Sequence, residues 1–337
     1  MSQSSFQETL AKRMVRENWN TPFLKYLHKK YGIKYRYMGF PGTDLTDIKL
    51  WKEMIEWVVA FELPAPGPDE RAWIKELRTN LRKLDVPGIA YYGSFEQVVV
   101  LREDLDGLAY EQDKVITLYN LDFCDEICSK VATPNAGEEL LRFEALRQIL
   151  RDQKECYVKK SGPTYFIILL TVRNQIEGSR IHKFLKTNLF HETNQYCAAC
   201  SEISPIPIKG PLVGSHTWAI KAFIYNSLKN YFGGPHISAL FFPFVRYEGT
   251  KIKLRKGNFL QSPMLHWMML CKFEKLANAS PVFTPEEFLH KVVTVLADRT
   301  GLTLRPEPGE ADDVNQTIST IEWFNKVENG FFNGNGD

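Results

Sequence analysis

Residues able to do chemistry gather at three places in this 337-residue chain. The first is Tyr35-Arg36-Tyr37-Met38-Gly39-Phe40-Pro41-Gly42-Thr43-Asp44, a strand-like run entering a Gly/Pro turn. The second is Glu62, which stops the apolar run Trp57-Val58-Val59-Ala60-Phe61. A strand, a tight turn opening a helix, and a second strand ending in an acid is how an α/β sheet builds a nucleoside site. Glycine lets a ligand approach the backbone, and a carboxylate offers the paired acceptors that two vicinal hydroxyls need. The third place is Asn120-Leu121-Asp122-Phe123, an amide, an acid and a ring following the apolar run Val115-Ile116-Thr117-Leu118-Tyr119. Open α/β sheets hold ligands at such strand ends. Each place also has a plain reading: a strand-to-helix connection at 39–44, a solvated carboxylate at Glu62, local capping by Asn120 and Asp122, and core packing of Phe123 and Phe95.

Other reactive residue types lack supporting patterns. Cys124 could serve as a nucleophile, but its neighbours supply no recognisable base and a packed thiol fits better. Cys197 and Cys200, with His191 nearby, have half the spacing of a zinc site and no second Cys/His pair at a convincing interval, so no metal is expected. His182, His216, His236 and His266 read as satisfied core or surface histidines. Two basic groups could contact phosphates: Arg246, Lys251, Lys253, Arg255 and Lys256, which could equally be a solvated hairpin, and Lys12, Arg13, Lys25, Lys29, Lys30 and Lys34.

The elements that must position these residues alternate between helix and strand, with no internal repeat. Helices are expected at 6–17 and 22–30, then a strand at 34–38. Leu45, Ile48, Trp51 and Ile55 form a helical stripe behind Asp44, whose carboxylate can cap free N–H groups. A second strand, an amphipathic helix at 69–84 and a short strand at 89–92 follow. After the strand at 115–119 and a helix at 138–152 comes Tyr165-Phe166-Ile167-Ile168-Leu169-Leu170, the most continuously apolar run and so a candidate central strand covered on both faces. Helices near 179–189 and 216–231 precede strand-like runs at 237–247 and 264–273, which lack room for a crossover helix between them and should run antiparallel. Thr284-Pro285-Glu286-Glu287 opens a further helix, and another is expected near 314–327.

With 44% hydrophobic and 24% charged residues, the composition suits a large α/β core, and a formal charge of +2 exerts no global pull on polyanions. No apolar run approaches membrane-spanning length, and six scattered cysteines suit a reducing compartment, so a cytoplasmic location is expected.

Five strand–helix units followed by an antiparallel pair resemble the class I, Rossmann-like, S-adenosylmethionine-dependent methyltransferases, across roughly residues 34–273. The resemblance implies a three-layer, seven-stranded, mostly parallel sheet whose last pair is antiparallel. It divides the chain into an N-terminal helical segment (1–33), a Rossmann domain (34–275), a C-terminal helical extension (276–329) and a disordered tail (330–337). It also implies that Gly39, Pro41, Gly42 and Asp44 form the cofactor's Gly-rich turn, that Glu62 binds the ribose hydroxyls, and that Gly93, Ser94 and Phe95 frame the adenine. Asn120, Asp122 and Phe123 then stand at the catalytic position, with Asp122 orienting an acceptor nitrogen and Phe123 stacking on a nucleic-acid base. Tyr37 replaces the usual acid, Pro41 the usual second glycine, and the Pro-Pro-aromatic signature of DNA amino-methyltransferases is absent. A catalytically inactive methyltransferase-shaped subunit that binds protein or nucleic acid, and an NAD-dependent oxidoreductase, are the alternatives.

Overall fold

The computed structural model describes residues 9–123, 125, 129–132, 139–160, 163, 165–173, 237–241, 244–253, 259–273 and 301–303. The helices expected at 179–189, 216–231, 284 onward and 314–327 lie outside these, as do Cys124, Cys197, Cys200, Arg255 and Lys256, most of the C-terminal extension and the whole tail.

The chain enters through helix α1 (Leu10–Met14), a π-helical turn (Val15–Asn20) and α2 (Thr21–Tyr31). Pro22 sits in the first turn of α2, where no N–H is required, and Gly32 ends it in the left-handed conformation with its N–H on the His28 carbonyl. Strand β1 (Tyr35–Gly39), α3 (Thr46–Trp51), β2 (Ile55–Glu62), α4 (Ala72–Leu84), β3 (Gly88–Tyr92), α5 (Phe95–Leu101) and β4 (Leu118–Asp122) follow. A hairpin of β5 (Lys130–Ala132) and β6 (Glu139–Leu141) leads to α6 (Arg142–Lys160) and β7 (Tyr165–Arg173). Last come β8 (Ile237–Phe241), β9 (Phe244–Lys253), β10 (Phe259–Phe273) and β11 (Gly301–Thr303).

One sheet has the order β11-β9-β10-β7-β4-β1-β2-β3, with β8 also on β10. Strands β3, β2, β1, β4 and β7 run parallel, and β10 is antiparallel to β7, β8 and β9. The expected mostly parallel sheet with a reversed final strand is present, enlarged at one edge because the run at 237–247 divides into β8 and β9 and because β11 adds to β9. Alternate residues bury opposite faces, as the two-residue strand period requires. Val58, Ala60, Ile167 and Leu169 pack beneath α2, α3 and α4, while Val59, Phe61, Ile168 and Leu170 pack beneath α5 and α6. Burial on both faces explains the unbroken apolar run in β7.

Connections from β1 run to β2 and β3 on one side and to β4 and β7 on the other, so the strand order reverses between β1 and β4. The carboxyl ends of these strands carry Gly39, Glu62, Tyr92 and Asp122. Among the described residues no helix is long and apolar enough to cross a membrane.

Candidate active site

Two cavities meet at the reversal point. The first is a cleft lined by Phe40, Gly42, Phe61, Glu62, Leu63, Gly93, Ser94, Phe95, Glu96, Asp122 and Phe123. The 39–42 turn, the acid closing β2, the turn after β3 and the end of β4 therefore face one space. The second is a polar pocket beneath the N-terminal helices, and Phe40, Gly42 and Asp122 are common to both cavities.

Gly39 pairs with Ala60 on one side and Asn120 on the other, and a Cβ there would run into the Asn120 carbonyl. Its glycine is thus required by strand packing, and Gly39 lines neither cavity. Asp44 is exposed and does not cap α3. That helix begins at Thr46, and its N-cap is Leu45, with a left-handed φ of 53° and no side-chain cap bond. The turn is closed by the Leu45 N–H on the Gly42 carbonyl at 3.3 Å. Pro41 and Asp44 face the polar pocket, whereas Gly42 faces both cavities.

Glu62 is buried, and one carboxylate oxygen accepts from the Leu63 N–H at 3.1 Å. Its backbone carbonyl accepts from Gly93 N–H at 2.9 Å, tying the end of β2 to the turn after β3. Gly93 has φ 140°, a region nearly closed to other residues, and turns the chain directly into α5. Ser94 caps that helix, its hydroxyl accepting from Gln97 N–H at 3.1 Å.

The apolar wall is an aromatic cluster. Phe40 lies 5.1 Å from Phe123, 5.7 Å from Phe95 and 6.3 Å from Phe61 between ring centroids. Phe95 and Phe123 are nearly fully buried, and the Arg142 guanidinium covers Phe123 at 4.4 Å while bonding Glu96 at 2.7 Å. Phe40, only half-buried, narrows the cleft.

Asp122 is held from an unexpected direction: Lys12 Nζ stands 2.8 Å from its Oδ2, with the two side chains 8% and 18% exposed. Asn120 donates to Asp47 at 2.6 Å and to the Tyr37 hydroxyl at 3.4 Å. Asp47 is in turn paired with Arg16. Burial pushes the Asp47 carboxyl up to about 6, against the opposing pull of Arg16 and with a further push from Asp122. His266 bonds Thr171 through Nδ1 at 2.8 Å and Asn20 through Nε2 at 2.9 Å. Burial brings its pKa down to about 4. It is the satisfied core histidine that its sequence context suggests.

Lys12, Arg16 and Asn20 thus reach Asp122, Asp47 and His266 from one helical face at four-residue spacing. Lys12 is a buried ion-pair member and no part of a surface patch. The sequence signal was a polar stripe repeating beside the buried Ala11, Val15 and Trp19, which share that spacing. Arg142 and Glu96 gave no comparable signal. Among the described residues no cluster of three or more His, Cys, Asp and Glu could hold a metal ion.

No family model matches the chain, and no curated protein matches it. Several solved structures do. YcgJ from Bacillus subtilis is 8% identical, with a TM-score of 0.35 over 75% of this chain and 98% of that one. The O-methyltransferase TomG from Streptomyces achromogenes, in complex with S-adenosylmethionine, is 9% identical, with a TM-score of 0.33 over 81% and 92%. Precorrin-6y C5,15-methyltransferase from Geobacter metallireducens is 10% identical, with a TM-score of 0.33 over 81% and 94%. Likeness at this level carries nothing about substrate, and the assignment of fold rests on the sheet itself. Five parallel strands reversing order beside β1, completed by one antiparallel strand between β7 and β9, give this chain the fold of the class I, Rossmann-like methyltransferases.

Proposed function

We propose that the chain is a methyltransferase that binds S-adenosylmethionine in the cleft between the 39–42 turn, Glu62 and the 93–95 turn. The observation that carries this reading is the convergence of Gly42, Glu62, Gly93, Ser94 and Asp122 on one cleft at the reversal point of the sheet. These residues fit the cofactor: Glu62 supplies acceptors for vicinal hydroxyls, and Phe61 and Phe95 supply apolar surface for a base. The bound cofactor would supply an electrophilic methyl group. The chain's own part is positioning, since a preset acceptor geometry removes much of the entropic cost of a two-substrate step. Asp122 stands at the junction of the two cavities and suits an acceptor bearing N–H groups. Lys12 Nζ donates to its Oδ2, so the carboxylate is presented as an acceptor of hydrogen bonds.

The finer proposal is a nucleic-acid base nitrogen as acceptor, with Lys251 and Lys253 on β9 and Arg255 and Lys256 beyond it meeting phosphates. Phe123 is already packed against Phe40, Phe95 and Arg142, so base stacking there needs the cluster to open. Incubation with methyl-tritiated cofactor and either oligonucleotides or free nucleosides tests this. Label in the nucleic acid, lost with Asp122→Ala, supports it, and label in neither acceptor defeats it.

A second reading, an inactive methyltransferase-shaped subunit, draws on the engagement of Asp122 by Lys12 and of Asn120 by Asp47. It expects no cofactor binding and a stable complex in pull-down.

A further inference from the structure

The face of the sheet that packs beneath α5 and α6 carries a third cavity, which shares no lining residue with the cleft or the polar pocket. Its volume is about 260 Å³. A cavity of roughly 150 Å³ already holds a benzene ring, so a small organic molecule fits here. Strand register builds the floor: Met38 pairs with Val59, and Val59 with Ile89, in one row across β1, β2 and β3. Trp57 stands two residues before Val59 and Tyr91 two after Ile89, so both rings rise from the same face. The segment from Tyr110 to Lys114 supplies the opposite wall.

Two enclosed oxygens of that wall have no hydrogen-bond partner among the described residues, the Tyr110 hydroxyl and Gln112 Oε1. Tyr110 is only 1% exposed. The amide of Gln112 is fixed in orientation, because its Nε2 donates to Gln153 Oε1 at 2.7 Å. Gln153 is locked in turn by the Ile116 N–H at 2.9 Å and by its own Nε2 on the Ile116 carbonyl at 2.6 Å. Gln112 therefore presents an acceptor that lacks a donor, and an enclosed acceptor left in this way bears its full desolvation cost. A ligand bearing N–H groups would relieve it.

The chain itself shows which charge these rings accept. The Lys114 ammonium lies 3.5 Å from the centroid of the Trp57 ring, and the Arg102 guanidinium lies 4.7 Å from that of Tyr110. Arg102 has its charge met by Asp152 at 2.6 Å, so what Tyr110 still has to offer is its hydroxyl. Glu111 and Asp113 also line the cavity, both exposed and neither paired with a cation among the described residues. An anionic ligand would face these two carboxylates, and a hydrocarbon would leave both enclosed oxygens unpaired.

We infer that this cavity binds an aliphatic ammonium ion, a short linear diamine being the best fit. One ammonium takes the place of Lys114 on the Trp57 ring and donates to Gln112 Oε1 and the Tyr110 hydroxyl. The methylenes lie on the row of Met38, Val59 and Ile89, and the second ammonium reaches Glu111 and Asp113 at the rim. Lys114 is half-buried on a long flexible stem, so its displaced head returns to water without disturbing the fold. The site stands apart from the cofactor cleft and does not depend on the reading of that cleft.

Calorimetric titration of the full chain with 1,5-diaminopentane and with 1,5-pentanediol, an uncharged chain of the same length, tests the inference. The diamine should bind at least about tenfold tighter than the diol. Lys114→Ala removes the internal competitor and should tighten diamine binding about threefold or more. Trp57→Leu should weaken it about tenfold, and Glu111→Gln combined with Asp113→Asn, both at exposed positions, should weaken it by a similar factor at low salt. Should Trp57→Leu fail to fold, Lys114→Ala decides, and equal or weaker binding there overturns the inference. Equal affinity for diamine and diol, or no diamine binding by either the wild type or Lys114→Ala, overturns it too. A loss confined to the carboxylate variant, with Trp57→Leu folded and unchanged, shows attraction to surface charge alone and does the same.

Discussion

Lys12 Nζ lies 2.8 Å from Asp122 Oδ2 across 110 positions of sequence, joining the first helix to the end of β4. This pair fixes how the N-terminal segment sits on the sheet and how Asp122 is presented. Deleting one partner leaves the other charge largely desolvated, which typically costs about 3 kcal/mol. Lys12→Met should therefore lower the urea midpoint markedly, and Lys12→Met with Asp122→Leu should recover much of the loss. Additive losses in the double variant would show that the two side chains do not act as a pair.

Two groups in the polar pocket give opposing pH dependence. Asp47 titrates in the folded state at about 6 against an ordinary 3.8, so folding is penalised as pH rises through that window and is free of the penalty below it. His266 titrates at about 4 against 6.5, so its contribution is complete above pH 6.5 and is lost as pH falls toward 4. The two slopes largely cancel in the wild type. Denaturant melts of Asp47→Asn between pH 7 and 4 should expose the His266 slope, with stability falling by up to about 3 kcal/mol on acidification.

Gly39→Ala should be among the most damaging conservative substitutions in the chain, because the new methyl meets the Asn120 backbone between two paired strands. A loss of about 3 kcal/mol or more in thermal or chemical denaturation is expected, since strand backbone cannot shift without breaking its ladder.

The aromatic wall separates packing from access. Phe95→Ala removes a nearly buried ring and should cost about 3–5 kcal/mol. Phe40→Ala removes a half-buried ring from the mouth of the cleft, should cost less, and should raise the association rate of an adenosine ligand in stopped-flow measurements. An unchanged rate would mean that Phe40 does not narrow the entrance.

The sheet was legible because β2 and β7 carry long apolar runs rich in β-branched residues, above all β7, whose unbroken run follows from burial on both faces. The apolar run begins at Val115, three residues before β4. Residues 115–117 are buried, Ile116 is bonded to Gln153 of α6 and Thr117 accepts from the Ile167 and Arg36 N–H groups, but regular pairing begins at Leu118. The short hairpin of β5 and β6 before α6 has no strong alternation to betray it.

The site divides in the same way. The strand-end positions of Glu62 and Asp122 were legible because an acid closing an apolar run is a local feature of an α/β sheet. Lys12, Arg16 and Asn20 were not, because a charged residue on a short helix reads as solvated until a partner far along the chain is known. Asp44 stands where a helix cap is expected, but the turn adopts a left-handed residue at Leu45 and starts the helix without it.

The most direct test of the whole account is calorimetric titration of S-adenosylhomocysteine into wild type and Glu62→Ala. The account predicts one-site binding to the wild type, weakened at least about tenfold in the variant by loss of the charged acceptors for the ribose hydroxyls. Absence of binding to wild-type protein, or equal affinity in the two, would contradict it.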